Sequence, residues 1–270
     1  MTQNQDRAYL AEVCLARAGL HVDPDKTYLI DSRLAPLARR ECFSSIEALI
    51  DALRHGADDR LVWAAVEAMA LPEGEFFRDH RVFAELAEDV VPALARARDG
   101  QPVRIWSAAC GTGQEIYSLA MLLADAKGVG QVELFASDLS ERSLEKAQSG
   151  RYSQFEVQRG LPARMLVRHF EKDGEWFALS PRLRQMVRWR RVNLIDDLSR
   201  MGQFDLILCR NLLNQLAPEA SGRVLEQMEA ALAPGGALLL GQNESAGRAF
   251  MRVAPDMALY APTNAARSAA

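Results

Sequence analysis

IWSAACGTGQEIYSLAMLL, residues 105–123, reads as a strand, a small-residue loop and a helix in immediate succession. The strand ends near Ser107, and the helix begins near Gln114. Gly111 and Gly113 let backbone come close to a ligand at a helix N-terminus. A dinucleotide fingerprint needs GxGxxG, with the third glycine for helix–strand packing. Here that third position is Ile116, which disfavours NAD and FAD. No GxxxxGK[ST] occurs either, so a phosphate-cradling loop is absent. A G-x-G loop without a phosphate-binding lysine suits an adenosine ligand that lacks phosphate, and S-adenosylmethionine is one. The plain alternative is a tight strand–helix turn with no ligand.

Outward from this stretch, short apolar runs alternate with helical segments. The runs are VRIWSA (103–108), VELFAS (132–137), MVRWRRV (186–192), FDLILC (204–209) and GALLLG (236–241). Strands alternating with helices imply βαβ units and a parallel sheet. FMRVAP and MALYAP, within about 249–261, read as an antiparallel pair at a sheet edge. Residues 150–185 interrupt the alternation with a helix-like ARMLVRHF and a short strand in GEWFAL, so a small β-containing insert is expected there. A helix is expected from about Arg81 to Arg98.

Upstream, residues 1–71 read as helix after helix. Tyr9, Leu10, Val13, Leu15 and Leu20 make one irregular apolar face. Tyr28, Leu29, Leu34, Leu37 and Ala38 make a second. Ser44 or Ser45 is placed to cap a helix ending near Arg54, and Asp58 or Asp59 one from about Arg60 to Met69.

The chain has 270 residues, 32 Lys+Arg against 36 Asp+Glu and a formal net charge of −4. That leaves no excess of positive charge for a general nucleic-acid binder. Hydrophobic residues at 49% and charged residues at 25% describe an ordinary globular protein. Cys14, Cys42, Cys110 and Cys209 are dispersed, as are the four histidines, so neither a disulfide framework nor a metal motif is expected. The polar start MTQNQDRAYL carries no signal-peptide pattern, and no apolar run has bilayer-spanning length. A cytoplasmic protein with reduced thiols and no membrane insertion is expected.

VELFASD places Asp138 at the tip of the second strand. A carboxylate there can accept from both ribose hydroxyls. Alternatively Asp138 caps the next helix, SERSLEKAQ, and the two roles are compatible.

With these pieces in order, the chain resembles the CheR-type chemoreceptor methyltransferases. The matching segments are EFFRD (75–79), RIWSAACGTGQEIYSLAMLL (104–123), FASDLSERSLEKAQSGRYS (135–153), NL (193–194), FDLILCRN (204–211) and PGGALLLGQNES (234–245). The resemblance covers nearly the whole chain, including YLIDSRLAPLARR (28–40). It implies an α/β, Rossmann-like S-adenosylmethionine-dependent methyltransferase domain over 81–270. An all-helical N-terminal domain would occupy 1–80, and a small antiparallel β insert about 150–190. It also implies methylation of glutamate side chains on chemoreceptors, with S-adenosylhomocysteine as the second product.

The resemblance implies roles residue by residue. Arg78 matches the site arginine, whose guanidinium fork can hold a carboxylate of cofactor or substrate. Alone, it would read as a surface ion pair with Asp79 or Glu75. Ala109 and Gly111 fall in the cofactor loop. Glu115 matches the residue that reaches the cofactor's amino group; alone, it is a first-turn glutamate favoured by the helix dipole. Asp138 and Leu139 match the ribose side, and Asn193 and Leu194 the adenine side; alone, the latter pair is an ordinary strand end. Cys209 and Arg210 match cofactor positions and Asn211 the substrate side. Cys209 alone would be a buried core thiol. The partner implied is the receptor's cytoplasmic helical bundle, approached by a monomer, with Arg33, Arg39 and Arg40 on a face toward acidic receptor helices or toward solvent. The short turn EKDGEW (171–176) implies no dependence on a peptide tethered to the receptor.

The chain departs from the family pattern at three places. N-x-T-x-FFR becomes Pro72-Glu73-Gly74-Glu75-Phe76-Phe77-Arg78, so two hydrogen-bonding side chains are lost. A tyrosine six residues after the cysteine of CRN is Gln215 here. GHSES becomes Gly241-Gln242-Asn243-Glu244-Ser245. At about 0.5–1.5 kcal/mol for each lost bond, two or three losses weaken cofactor binding roughly ten- to a hundredfold unless other groups compensate. Two functions therefore stand: an active glutamate methyltransferase, or a non-enzymatic relative that binds the cofactor or scaffolds a chemosensory complex.

Overall fold

The structure, a computed structural model, describes residues 3–56, 58–70, 74–126, 128 and 130–263. Two compact units divide the chain. One is Met1–Leu71 with Leu212–Val224, the other Pro72–Asn211 with Leu225–Ala270. The sequence reading puts this boundary at residue 80 and assigns 212–224 to the α/β domain. Hydrogen bonds explain the difference. Phe76 and Phe77 are bonded to Arg159 and Ser118 of the second unit. Leu216 bridges Leu20, and the Ala217 N–H donates to the Gly19 carbonyl, 2.9 Å, so that loop is built into the first unit.

The first unit holds α1 (Gln3–Ala18), α2 (Thr27–Arg40), α3 (Ile46–Arg54) and α4 (Asp59–Met69). Ser45 caps α3 by accepting from the Ala48 N–H, 3.1 Å, and Asp58 caps α4 through the Leu61 N–H, 2.8 Å. On α1 the buried stripe runs through Leu10, Cys14 and Ala18 at four-residue steps, and Leu15 is exposed. On α2 it runs through Ile30, Leu34, Leu37 and Ala38, with Tyr28 exposed. Apolar content alone does not resolve which side of such a helix is dry. Arg33 is half-buried and donates to the Met69 carbonyl, 2.8 Å, while Arg39 and Arg40 are exposed.

The second unit begins with α5 (His80–Glu85), a π-helical turn (Leu86–Val90) and α6 (Val91–Ala97), one run where the sequence reading expects a single helix. Then come β1 (Val103–Ala108), α7 (Gln114–Asp125), β2 (Val132–Asp138) and α8 (Glu141–Ser149). The insert holds β3 (Arg151–Ser153), α9 (Gln154–Gln158), α10 (Ala163–His169), β4 (Phe170–Asp173), β5 (Trp176–Leu179) and α11 (Pro181–Gln185). The main sheet resumes with β6 (Val187–Arg191) and β7 (Phe204–Cys209). There follow α12 (Pro218–Ala231), β8 (Leu232–Leu240), β9 (Phe250–Arg252) and β10 (Leu259–Pro262).

The main sheet has seven strands in the order β6-β2-β1-β7-β8-β10-β9. Its first five members pair in parallel, and β10 runs antiparallel to β8 and β9. The insert is a three-stranded antiparallel sheet, β3-β5-β4, with a tight turn between Asp173 and Trp176. Every residue of FDLILC is buried, as a central parallel strand covered on both faces requires. From β1 the chain winds outward through β2 to β6, then returns to the other side of β1 with β7. That reversal opens a crevice at the carboxyl ends of β1 and β7, where open α/β sheets bind ligands.

Candidate active site

The loop after β1 is shaped by left-handed backbone. Ala109, Gly111 and Gly113 have φ of 52°, 54° and 90°. A Cβ on Gly113 would lie 3.0 Å from both the Ala147 Cβ and the Trp189 ring, so glycine is needed there for space as well as conformation. The Cys110 N–H donates to the Ser137 carbonyl, 2.9 Å, and the Gly111 N–H to Asp138 Oδ2, 2.8 Å. The loop is thereby drawn onto the tip of β2, and Gly113 leads into α7 with Glu115 in its first turn.

Asp138 also accepts from the Ser140 N–H through Oδ1, 2.9 Å. It does not cap α8. Ser140 does, accepting from the Ser143 N–H. Burial pushes the Asp138 carboxyl above the ordinary aspartate range, and the N–H donors of Ser140, Gly111 and Leu139 oppose that shift. A carboxylate offers about four lone-pair positions, so acceptor capacity remains after two bonds.

EFFRD is clamped from two sides. The Phe76 N–H donates to the Arg159 carbonyl, 3.2 Å, and its ring sits edge-on to Tyr152 and Phe170 at 5.0 and 5.8 Å. Gly160 permits this approach, since a Cβ there would stand 1.9 Å from the Phe76 carbonyl oxygen. The Phe77 N–H donates to Ser118 Oγ, 2.9 Å, which in turn donates to the Gln114 carbonyl, 2.7 Å. Phe77 and Asp79 hold φ of 50° and 63°. Non-glycine residues in this region cost about 1–3 kcal/mol and persist only where the surroundings enforce them.

This clamp brings Arg78 and Asp79 to Arg210, just past β7. The Arg210 side chain is 2% exposed. Nη1 donates to Glu115, 3.0 Å, and to the Arg78 carbonyl, 3.3 Å, while Nη2 pairs with Asp79. Its guanidinium carbon lies 5.7 Å over the Phe83 ring. Arg210 Nε is buried with no hydrogen-bond partner. Ser107 Oγ donates to the other Glu115 oxygen, 3.3 Å. Burial pushes the Glu115 carboxyl up, and Arg210 opposes it. Asp79 therefore serves Arg210, and Glu75 pairs with Arg159 at 3.9 Å.

Next along, Asn211 has φ 61°. Its N–H and that of Gly241 both donate to Glu244 Oε2, 2.8 Å each. Burial pushes the Cys209 thiol far up, so it is a core group and not a nucleophile. Asn193 and Leu194 follow β6 in a loop. The Val192 N–H is held by the Asp138 carbonyl, 3.0 Å, Asn193 Nδ2 donates to Asp196, 3.3 Å, and the Leu194 carbonyl accepts from Gln227, 3.0 Å.

The anticipated residues thus gather at strand tips as two bonded groups. Arg78, Glu115, Arg210 and Asn211 belong to one, and Gly111, Asp138 and the 193–194 loop to the other. Asp79 and Glu244 are additions. Asp79 lay in plain view as an alternative ion-pair partner of Arg78, but nothing in the sequence links Glu244 to Asn211. Gln215 belongs to the first unit, its carbonyl accepting from the His21 N–H, 2.8 Å. Pro72 and Glu73 lie outside the described residues.

The donor set fits a cationic nucleoside ligand. Asp79, Glu115, Asp138 and Glu244 outnumber Arg78 and Arg210, which disfavours polyphosphate and favours positive charge. Among the described residues there is no cluster suited to a metal ion, and no helix long and apolar enough to cross a membrane.

Known proteins agree with this chemistry. The family description "CheR methyltransferase, SAM binding domain" matches residues 73–253. Chemotaxis protein methyltransferase 1 of Pseudomonas aeruginosa is 35% identical over 249 residues, 88% of each chain. A chemotaxis protein methyltransferase of Vibrio parahaemolyticus is 36% identical over 236 residues, 85% of each chain. Chemotaxis protein methyltransferase Cher2 of Pseudomonas putida is 33% identical over 249 residues, 89% of each chain. With its Rossmann-like sheet, its carboxylate-rich crevice and these relatives, the chain belongs to the CheR methyltransferase family, and its cofactor is S-adenosylmethionine.

Proposed function

We propose that this protein methylates glutamate side chains on the cytoplasmic helical bundle of methyl-accepting chemoreceptors, giving glutamate γ-methyl esters. The observation that carries this reading is the buried Arg210–Glu115–Asp79 network, which fixes the Arg78 backbone at the crevice of a CheR-family domain. When bound, S-adenosylmethionine supplies a methyl group on a positively charged sulfonium.

The residues divide the work. Asp138, with Leu139 beside it, accepts from the ribose. Asn193 and Leu194 read the adenine. Glu115 takes the amino group. Ala109 and Gly111 shape the loop, and Cys209 and Arg210 form the floor. Arg78 orients a carboxylate, and Asn211 faces the incoming glutamate. A glutamate side chain is already ionised at neutral pH, so no general base is required. Its attack cancels charge against the sulfonium, which favours alignment and exclusion of water over proton transfer. The buried Arg210 guanidinium, with the half-buried Glu115 and Asp79 on it, supplies that floor.

The protein acts as a cytoplasmic monomer, with the exposed Arg39 and Arg40 facing acidic receptor helices and no need of a tethered receptor peptide. The test is transfer of labelled methyl from S-adenosylmethionine to chemoreceptor cytoplasmic fragments, followed by mild alkali. Label that is released as volatile methanol, and lost when the acceptor glutamates are changed to alanine, supports the reading. Retention of label through alkali overturns the ester assignment. Cofactor binding without transfer favours the second reading, a non-enzymatic relative, for which Gly74 and Gln215 speak.

A further inference from the structure

Gln114 opens α7 directly after the glycine loop, and it is 2% exposed. Its carbonyl is tied through Ser118 to the Phe77 N–H. Its carboxamide lies against Gly74. A Cβ built on Gly74 would meet Gln114 Oε1 at 2.4 Å, Nε2 at 2.6 Å and Cδ at 2.7 Å. The amide therefore occupies the volume that any side chain at residue 74 would take. Thr112 Oγ1 donates to Gln114 Oε1, 2.8 Å, which orients the amide. The Nε2 end makes no hydrogen bond to another described residue and keeps contact with solvent, so it can take a ligand acceptor. An oriented donor thus stands between the EFFRD segment and the first turn that carries Glu115.

We propose that Gln114 is a cofactor-contact residue, donating Nε2–H to the carboxylate at the amino-acid end of S-adenosylmethionine. This rests on the cofactor placement proposed above. With the ribose on Asp138 and the adenine on Asn193 and Leu194, the amino-acid end falls to Glu115 and its neighbours. Gln114 thus supplies, from the opposite wall, a polar group that Gly74 does not.

The test is calorimetric binding of S-adenosylhomocysteine and of 5′-methylthioadenosine, which lacks the amino-acid end, to the full chain and to Q114A, G74A and G74A/Q114A. Melting temperature without ligand serves as the folding control. Q114A is expected to weaken S-adenosylhomocysteine about tenfold, the size of one hydrogen bond to a charged group. Methylthioadenosine affinity should stay within about twofold. G74A is expected to mimic Q114A, because the amide is the movable end of a flexible side chain and the new methyl group displaces it. The double variant should be no weaker than either single one, since both remove the same contact. Unchanged S-adenosylhomocysteine affinity in Q114A overturns the proposal, as does equal weakening of both ligands. If the unaltered chain binds methylthioadenosine but gains nothing from the amino-acid end, the underlying cofactor placement fails as well.

Discussion

Arg210 and Glu115 are 95 residues apart in the chain and 3.0 Å apart in the fold. The first follows a strand tip and the second lies in the opening turn of α7, so their pair bridges the two sides of the crevice. Asp79 completes the set from a third segment. Removing this buried cation leaves two half-buried carboxylates without their partner. Truncating one partner of a buried pair typically costs about 3–5 kcal/mol. Arg210→Met is therefore expected to lower unfolding free energy by that order in urea titrations and to abolish binding of S-adenosylhomocysteine. Arg210→Lys should rescue neither fully, because an ammonium cannot reproduce the fork to Glu115, Asp79 and the Arg78 carbonyl.

The βαβ order, the glycine loop and the insert were all legible in the sequence, because each carries a local signal: strand runs, a small-residue turn, or a break in the alternation. The Ser45 and Asp58 caps were legible for the same reason. The unit boundary and the buried face of α1 were not, since both depend on tertiary neighbours. Asp138 illustrates the middle case. Its place at the strand tip was evident, but its choice of the Gly111 and Ser140 N–H groups over a capping role needed the fold. The left-handed backbone at Phe77 and Ala109 left no trace in residue type, whereas Asp79 and Asn211 are types that visit this region more readily but do not require it.

Gly160 and Gly174 separate strain from clash. Both have positive φ, 80° and 62°. A Cβ on Gly174 meets nothing within 4 Å, whereas one on Gly160 would lie 1.9 Å from the Phe76 carbonyl oxygen. Gly174→Ala should cost only the left-handed penalty, about 1–2 kcal/mol. Gly160→Ala should cost more than that, because backbone must move. It should also weaken cofactor binding by shifting EFFRD, which urea melts paired with calorimetry will read. Equal costs for the two variants would refute the clash.

Asp138 has a carboxyl raised above its ordinary range by burial. A raised carboxyl binds its proton more tightly in the folded than in the unfolded state. Its contribution to stability is therefore fully present below the unfolded pKa and is lost as pH rises through the folded one. Asp138→Asn should accordingly flatten the decline in stability across the rising carboxylate range. Ligand binding has the opposite sign, because ribose hydroxyls need acceptors and favour the ionised form. Binding of S-adenosylhomocysteine should release protons at mildly acidic pH, and Asp138→Asn should reduce that release, leaving the share that comes from Glu115. Calorimetry in buffers of different ionisation enthalpy measures it directly.

Glu244 holds two strand tips with one oxygen. Oε2 accepts from both Asn211 and Gly241, 2.8 Å each, and Asn211 stays in a left-handed conformation that an asparagine tolerates but does not require. A Cβ on Gly241 would lie 2.8 Å from both Asn211 Oδ1 and Glu244 Oε2, so a side chain there would displace those two groups. Glu244→Ala strands the buried Gly241 N–H and the half-buried Asn211 N–H at about 1–3 kcal/mol each, so a loss of about 2–6 kcal/mol is expected in denaturant titrations. Glu244→Gln presents a single amide oxygen to the same two donors and should recover most of that stability. If the glutamine variant fails as badly as the alanine one, the negative charge is what matters, through its field on the neighbouring Glu115. If instead it folds and binds cofactor normally, Glu244 acts by holding Asn211 in place. Methyl transfer in the glutamine variant should then remain within a few-fold of the unaltered protein, while the alanine variant loses transfer more than it loses S-adenosylhomocysteine binding.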